Sequence, residues 1–264
     1  MIPWKIKWAV SHVFSWKVFT GNLKTLKHPF VYYKTLFLSL LPGFPKKAVR
    51  FELRDNSCFT IHDFIGCYLY WEIFLYDCYK LQPREESQLT IIDVGAHTGL
   101  SAIRFKQSYP HAEIHCYEPF QGHFEELSSN LSLCSISGVH FYPQGVAATH
   151  KKTKLYIHGS NSGGHSIFPV DRPAGEQEVE LVDLHDVLKN TSSGKIDILK
   201  LDCELAEYEI IKSIDAAMAP NIREIIFEAM TDQYNPKELT DHLESVGYET
   251  IDVDGTVFKA IFKG

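Results

Sequence analysis

The chain reads as an α/β protein. The expected architecture is a Rossmann-like, mostly parallel seven-stranded sheet with an antiparallel C-terminal hairpin, preceded by a helical N-terminal extension. Three observations carry this. From residue 89 onward, short β-rich runs alternate with stretches of helical spacing. A glycine-bearing loop, Asp93-Val-Gly-Ala-His-Thr-Gly99, joins the first such run to a helix. Near the end, two β-rich runs flank Asp254-Gly255, a dipeptide that favours a tight hairpin.

Taken in order, residues 1–85 are mostly helical, with one strand near Val49–Leu53. Residues 83–88 are a polar break. Strands are expected at Leu89–Val94, Ala112–Tyr117, Val139–Tyr142, Gly145–Ala148, Lys154–His158, Ile196–Leu201 and Ile222–Glu228. Helices are expected at Thr98–Tyr109, stopped by Pro110, at Phe120–Leu133, where apolar residues fall at 120, 124, 127 and 131, and at Asp183–Lys189. Two more follow at Ala206–Met218 and at Pro236–Val246, the latter capped by Asn235. Tyr248–Val253 and Val257–Phe262 form the closing hairpin. Two domains are expected: a basic, aromatic-rich helical extension over 1–50 and a catalytic domain over 51–264.

Charge separates the same two parts. Residues 1–50 carry eight Lys, Arg50 and no acid, whereas 51–264 carry 17 basic and 33 acidic residues, for a total of -7. That balance argues against nucleic acid as a partner. Six cysteines at 58, 67, 78, 116, 134 and 203 show no C-x2-C spacing, which points to free thiols and a reducing cytoplasmic compartment. No apolar run reaches the roughly 20 residues of a membrane span; Thr35–Phe44 is too short and ends in Pro-Gly.

The first loop suggests a ligand. Gly95 allows a sharp turn and Gly99 close helix–strand packing, and the helix start is expected to present free N–H groups. The spacing is D-x-G-x-x-x-G rather than the dinucleotide G-x-G-x-x-G. An acid before the first glycine disfavours a pyrophosphate and suits a cation. S-adenosyl-L-methionine carries an ammonium and a sulfonium and no phosphate, so it is favoured over a nicotinamide. Asp93 is expected to serve the ammonium, and Ala96, His97 and Thr98 to line the cofactor. Glu118, 23 residues after Gly95, precedes Pro119 at the end of the second strand, where a carboxylate accepts the ribose hydroxyls.

Together, "IIDVGAHTGLSAIRF", "CYEP" and "IDILKLDCELAEYEII" resemble the FkbM family of S-adenosylmethionine-dependent methyltransferases, over about residues 50–262. The resemblance implies a class I methyltransferase fold and methyl transfer to a hydroxyl of a sugar, glycan, lipid or natural product. The sequence departs from the family pattern twice: His97 replaces an Asn, and Leu205 replaces a Gly in the stretch after the fourth strand. Leu205 opens a second reading, a cofactor-binding or scaffolding domain with impaired catalysis.

Methyl transfer from a sulfonium needs alignment and a base for the hydroxyl proton. Asp202, at the end of its strand, is expected near the cofactor or the acceptor. Glu204 and Glu228 are candidate bases, and His165, in the polar loop 159–166, is another. Glu207 and Glu209 suit the first turn of a helix. His111, Glu113 and His115 share one strand face, but one strand rarely closes a metal site alone, and no metal is expected.

The N-terminal extension has two readings. Trp4, Trp8 and Trp16 with Lys5, Lys7 and Lys17 suit an interfacial helix on a membrane surface. The alternative is packing on the core or across a homodimer.

Overall fold

A computed structural model of the chain describes residues 4–41, 48–84, 88–134, 136–159, 161–171, 173–230 and 233–264. The Pro-Gly at the end of the early apolar run, part of the polar break at 83–88, and Ser160 of the polar loop lie outside the described residues. The chain divides into two compact units, residues 1–78 with 129–136 and residues 79–128 with 137–264. Residues 51–78 therefore group with the N-terminal helices rather than with the rest of the expected 51–264 domain.

The first unit holds α1 (Trp4–Val13), α2 (Trp16–Thr25), α3 (Phe30–Ser39), a hairpin of β1 (Val49–Glu52) and β2 (Cys58–Ile61), and α4 (Phe64–Tyr70), which runs into a π turn over Trp71–Tyr76. Aromatic residues supply its core. Tyr70 packs on Tyr32, Phe51, Phe59 and Phe74 with ring centroids 5.5–6.0 Å apart, and its hydroxyl donates to buried Asn22 Oδ1 at 3.0 Å. Trp8 sits among Phe64, Tyr68 and Trp71. The strand β2 has no counterpart in the sequence reading; its CFTI run is buried at three of four positions and shows no alternation.

The second unit contains β3 (Thr90–Val94), α5 (Leu100–Ser108), β4 (Glu113–Tyr117), most of α6 (Gln121–Leu133), β5 (Val139–Tyr142), β6 (Gly145–Val146), β7 (Lys151–His158), β8 (Pro173–Val182), α7 (Leu184–Asn190), β9 (Ile196–Leu201), α8 (Ala206–Lys212), β10 (Ile222–Glu228), α9 (Lys237–Ser245), β11 (Tyr248–Asp252) and β12 (Val257–Phe262). Seven strands form one sheet in the order β11-β12-β10-β9-β3-β4-β5. Strands β10, β9, β3, β4 and β5 are parallel, β12 runs antiparallel between β10 and β11, and β11 again points with the other five. This is the expected class I methyltransferase architecture. The central strands are buried along their length; all five residues of β3 are buried, as a sheet covered on both faces requires. At the hairpin, Gly255 takes φ +90° and Asp254 Oδ1 accepts the N–H groups of Thr256 and Val257 at 3.1 and 2.9 Å.

Two element readings need correction. The helix expected over Ala206–Met218 ends at Lys212, because Asp215 Oδ1 accepts the N–H groups of Ala217 and Met218 and makes a side-chain turn instead. The ten-residue β8 was not foreseen. It forms a second sheet, β6-β8-β7, pairing antiparallel with β7. Its first half, PAGEQE, has no apolar face, so it carries no alternation to read.

Candidate active site

The sheet reverses its order beside β3, which is flanked by β4 and β9. Loops leaving the carboxyl ends of these strands form the crevice that such sheets use for ligands. The loop after β3 is built tightly. Gly95 takes φ +74°, and a Cβ there would lie 1.8 Å from the Asp202 carbonyl oxygen. Only glycine fits between the two strand ends. Gly99 takes φ +84°, and its absent Cβ would meet Leu127 of α6 at 3.3 Å; the close approach it permits is to a helix rather than to a strand.

The expected free N–H groups of this loop are largely used within the protein. Gly95 and Ala96 both donate to the Tyr117 carbonyl at 3.0 and 3.1 Å, and Gly99 donates to Ala96 at 2.8 Å. His97 N–H donates to Glu118 Oε2 at 2.9 Å. The loop is therefore shaped from behind, and a ligand meets a preformed surface.

Asp93 does not face the crevice. It is fully buried, accepts from Ser101 Oγ, and lies 3.1 Å from Lys200 Nζ. Lys200 also donates to the carbonyls of Gly95 at 2.8 Å and Val94 at 3.3 Å. Burial works against the ammonium, but Asp93 and Asp202 outweigh it, and the Lys200 pKa is raised. In place of a direct contact with a ligand ammonium, Asp93 makes an internal ion pair that fixes the loop.

Glu118 stands beyond the end of β4 with a nearly buried carboxylate. Its two oxygens each accept one backbone N–H, from Phe120 at 2.8 Å and from His97. Burial raises its pKa to about 7, with those two donors pulling the other way. The adjoining Pro119 carbonyl accepts Gln177 Nε2 at 2.8 Å, so the unforeseen β8 buttresses this corner.

On the other side of β3, Asp202 follows β9. Its side chain is one-third exposed, with Oδ2 3.5 Å from Lys200 Nζ. Glu204 and Leu205 both take positive φ, +53° and +82°. Leu205 thus adopts the glycine-like conformation itself rather than an ordinary helical one. Glu207 is buried. Its Oε1 accepts the Leu205 N–H at 3.2 Å and the Tyr234 hydroxyl at 2.8 Å, and burial raises its pKa to about 7. The helix-start position expected of Glu207 is observed, but the carboxylate supports the strained turn from inside. Glu228 is half-buried at the end of β10, where Phe227 pairs with Leu201, so it stands level with Asp202 one strand further out.

The polar loop between β7 and β8 reaches this rim. Ser162 O lies 3.3 Å from His97 Nε2, and Ser166 Oγ donates to the Glu204 carbonyl at 2.6 Å. Three imidazoles meet beneath it. The rings of His97 and His123 are 3.7 Å apart, and those of His123 and His165 stack at 5.0 Å. Burial lowers the pKa of His165 to about 4, with the neighbouring His97 and His158 adding to the effect. His165 Nδ1 accepts the His158 N–H at 3.1 Å, so a neutral ring carries its proton on Nε2. Its one lone pair is then occupied, which removes it as the expected general base. Ser166 belongs to the loop singled out in the sequence, but His123 was not foreseen: it reaches the site from α6 by tertiary packing, for which no spacing in the sequence gives a signal.

Within the rim, the structure brings together Gly95, Ala96, His97, Thr98, Glu118, Asp202 and Glu204 from the loops after β3, β4 and β9, with Glu228 at the last position of β10. A model of the methyltransferase FkbM domain matches residues 93–250. The chain is 26% identical over 223 residues to Methyltransferase sdnD of Sordaria araneosa, covering 73% of this chain and 86% of that one. It is 28% identical over 195 residues to 31-O-demethyl-FK506 methyltransferase FkbM of Streptomyces tacrolimicus, covering 61% and 73%. Among solved structures, precorrin-6y C5,15-methyltransferase from Geobacter metallireducens GS-15 aligns with a TM-score of 0.41 at 14% identity, over 70% of this chain and 83% of that one. The matched span begins at the aspartate of the first loop and takes in every rim residue described above, and on that basis the chain belongs to the FkbM family of methyltransferases.

Proposed function

We propose that the chain is an S-adenosylmethionine-dependent O-methyltransferase acting on a hydroxyl of a sugar, glycan, lipid or natural product. The observation that carries the reading is Glu118: a carboxylate beside the glycine loop, both oxygens aimed by backbone N–H groups, suits ribose hydroxyls and repels phosphate. Gly95 supports the same reading indirectly: its lack of a Cβ lets the ends of β3 and β9 close together and brings Asp202 beside the glycine loop. When bound, S-adenosylmethionine supplies a methyl group already activated on a sulfonium.

The chain's own residues then position and deprotonate. Glu118 accepts the ribose hydroxyls, with Pro119 fixing the turn that follows. Asp202 offers negative charge to the ammonium end or to the acceptor. Glu204 and Glu228 flank the space beyond, and one of them would accept the proton of the acceptor hydroxyl. Residues 161–166, which reach the rim through Ser162 and Ser166, are suited to lend contacts to the acceptor. The Streptomyces tacrolimicus relative is the methyltransferase of an O-demethyl compound, which supports transfer to oxygen.

The departure at Leu205 is compatible with activity, because Leu205 takes the backbone path that glycine would take. The reading of an impaired, cofactor-binding domain predicts cofactor affinity without turnover. Incubation with tritiated-methyl S-adenosylmethionine and panels of hydroxylated glycans, lipids and polyketides separates the two. Label on oxygen supports the proposal; tight cofactor binding with no label on any acceptor favours the impaired domain.

A second observation concerns the N-terminal helices. Phe14, Trp16, Phe30 and Phe37 are 85, 75, 73 and 64% exposed, and residues 1–50 hold nine basic and no acidic residues. Exposed aromatics among cations suit the surface of an anionic membrane. No helix of the described residues is long and apolar enough to cross one. The full chain is expected to float with vesicles rich in phosphatidylserine and not with neutral ones. Equal flotation of a Phe14→Ser/Trp16→Ser/Phe30→Ser variant would refute the contact.

A further inference from the structure

The lower half of β4 carries a second cluster of chemistry, away from Glu118. Glu113 and His115 lie on one face of β4, and β5 brings His140 into register with His115. Glu113 Oε1 is 3.3 Å from His115 Nε2 and 3.5 Å from His140 Nε2, and the three ligand atoms all lie within 4.8 Å of one another. The neighbouring strand thus supplies the ligand that one strand alone lacks.

The surroundings are those of a built site. His115 is 2% exposed, and its Nε2 has no hydrogen bond of acceptable geometry, although Glu113 is near. A buried ring nitrogen left in this way calls for a partner. The other nitrogen, Nδ1, is held 3.0 Å from the Tyr142 hydroxyl, the outer hydrogen bond that orients metal-binding imidazoles. Ser192 Oγ donates to both Glu113 oxygens, at 2.9 and 3.2 Å, and fixes the carboxylate likewise. A cleft of about 710 Å³, bordered by His111, Glu113, His140 and Ser192 among others, gives access from solvent.

We infer that Glu113, His115 and His140 form a binding site for a zinc-class divalent metal ion. Around an ion with bonds of about 2.0–2.1 Å, tetrahedral ligand atoms stand about 3.3 Å apart, which matches the two carboxylate–imidazole distances. Two imidazoles and one carboxylate are a zinc ligand set, with the fourth position open to the cleft. The ion would bind edge strand β5 to β4. The site is independent of the methyl-transfer reading.

Cobalt(II) titration of the full chain, stripped by chelator, tests this. One equivalent is expected to give the intense visible bands of a tetrahedral site, displaced by zinc(II). Zinc(II) at a hundredfold excess over its dissociation constant is expected to raise Tm by roughly 5 °C or more. His140→Ala and Glu113→Gln should abolish the bands, and Tyr142→Phe should weaken cobalt by roughly tenfold. His140 has a half-exposed side chain, so its variant keeps the fold, as circular dichroism would verify. His150→Ala, at a separate surface cluster with Glu180 and Asp186, should change nothing. The inference is overturned if the wild-type chain gives no bands, if His140→Ala retains them, or if His150→Ala is the variant that loses them.

Discussion

Lys200 Nζ lies 3.1 Å from Asp93 Oδ1, with both side chains sealed from solvent beneath the first glycine loop. The pair joins β9 to β3 and anchors two loop carbonyls. Removing one partner leaves the other charge buried and uncompensated, which costs about 3–5 kcal/mol. Lys200→Met is expected to lower the urea midpoint accordingly, and Lys200→Met/Asp93→Asn to recover much of the loss. If the single and double variants were equally unstable, the pair would not be the source of the effect.

Leu205 holds φ +82° directly after Glu204 at φ +53°. A non-glycine residue there costs on the order of 1 kcal/mol. Leu205→Gly is expected to stabilise the chain by up to about 1 kcal/mol in thermal or urea unfolding. Leu205→Ala, which retains a Cβ, should give no gain. A stabilising alanine would mean that the side chain, not the backbone, is the burden.

Glu118 provides a pH test of the cofactor reading. Its pKa of about 7 in the free protein means that it is partly protonated at neutral pH. Donation from ribose hydroxyls favours the ionised form, so affinity is gained as pH rises through 7 and lost as it falls. Between pH 8 and pH 6, the dissociation constant for S-adenosylhomocysteine is expected to rise by about tenfold. Calorimetry of Glu118→Gln should show binding weaker by roughly tenfold or more at pH 8 and nearly flat with pH. An unchanged pH profile in the variant would remove Glu118 from the ribose.

Glu207 has the same direction of shift for a different purpose. Its folded pKa, about 7, exceeds the unfolded value, so the folded state binds the extra proton between roughly pH 4.5 and 7. The stabilising contribution is full below about 4.5 and disappears as pH rises through 7, for at most about 3 kcal/mol. Glu207→Gln retains an acceptor for Leu205 N–H and the Tyr234 hydroxyl. Its unfolding free energy should fall less than that of the wild type between pH 4.5 and 7.5. Parallel curves would show that Glu207 does not titrate in that window.

Much of the fold was legible because buried parallel strands and amphipathic helices write their burial into the sequence. The runs Leu89–Val94 and Ile196–Leu201 have little but apolar residues, and both strands formed where expected. Strand β8 was illegible for the converse reason: a strand with two wet faces in its first half has no pattern to write. The early end of α8 was illegible because a single Asp215 side chain decided it.

By itself, the sequence determined most of the elements, their alternation and the residue types at the rim, since local propensity, glycine punctuation and hydrophobic period act over a few residues. The tertiary structure alone decided what each side chain faces. It turned Asp93 inward onto Lys200, used the loop N–H groups within the fold, occupied the lone pair of His165, and set His140 beside His115. These are contacts across 7 to more than 100 residues of chain, and their sign depends on burial. A carboxylate in solvent invites a ligand, whereas the same carboxylate sealed beside a lysine holds a loop in place.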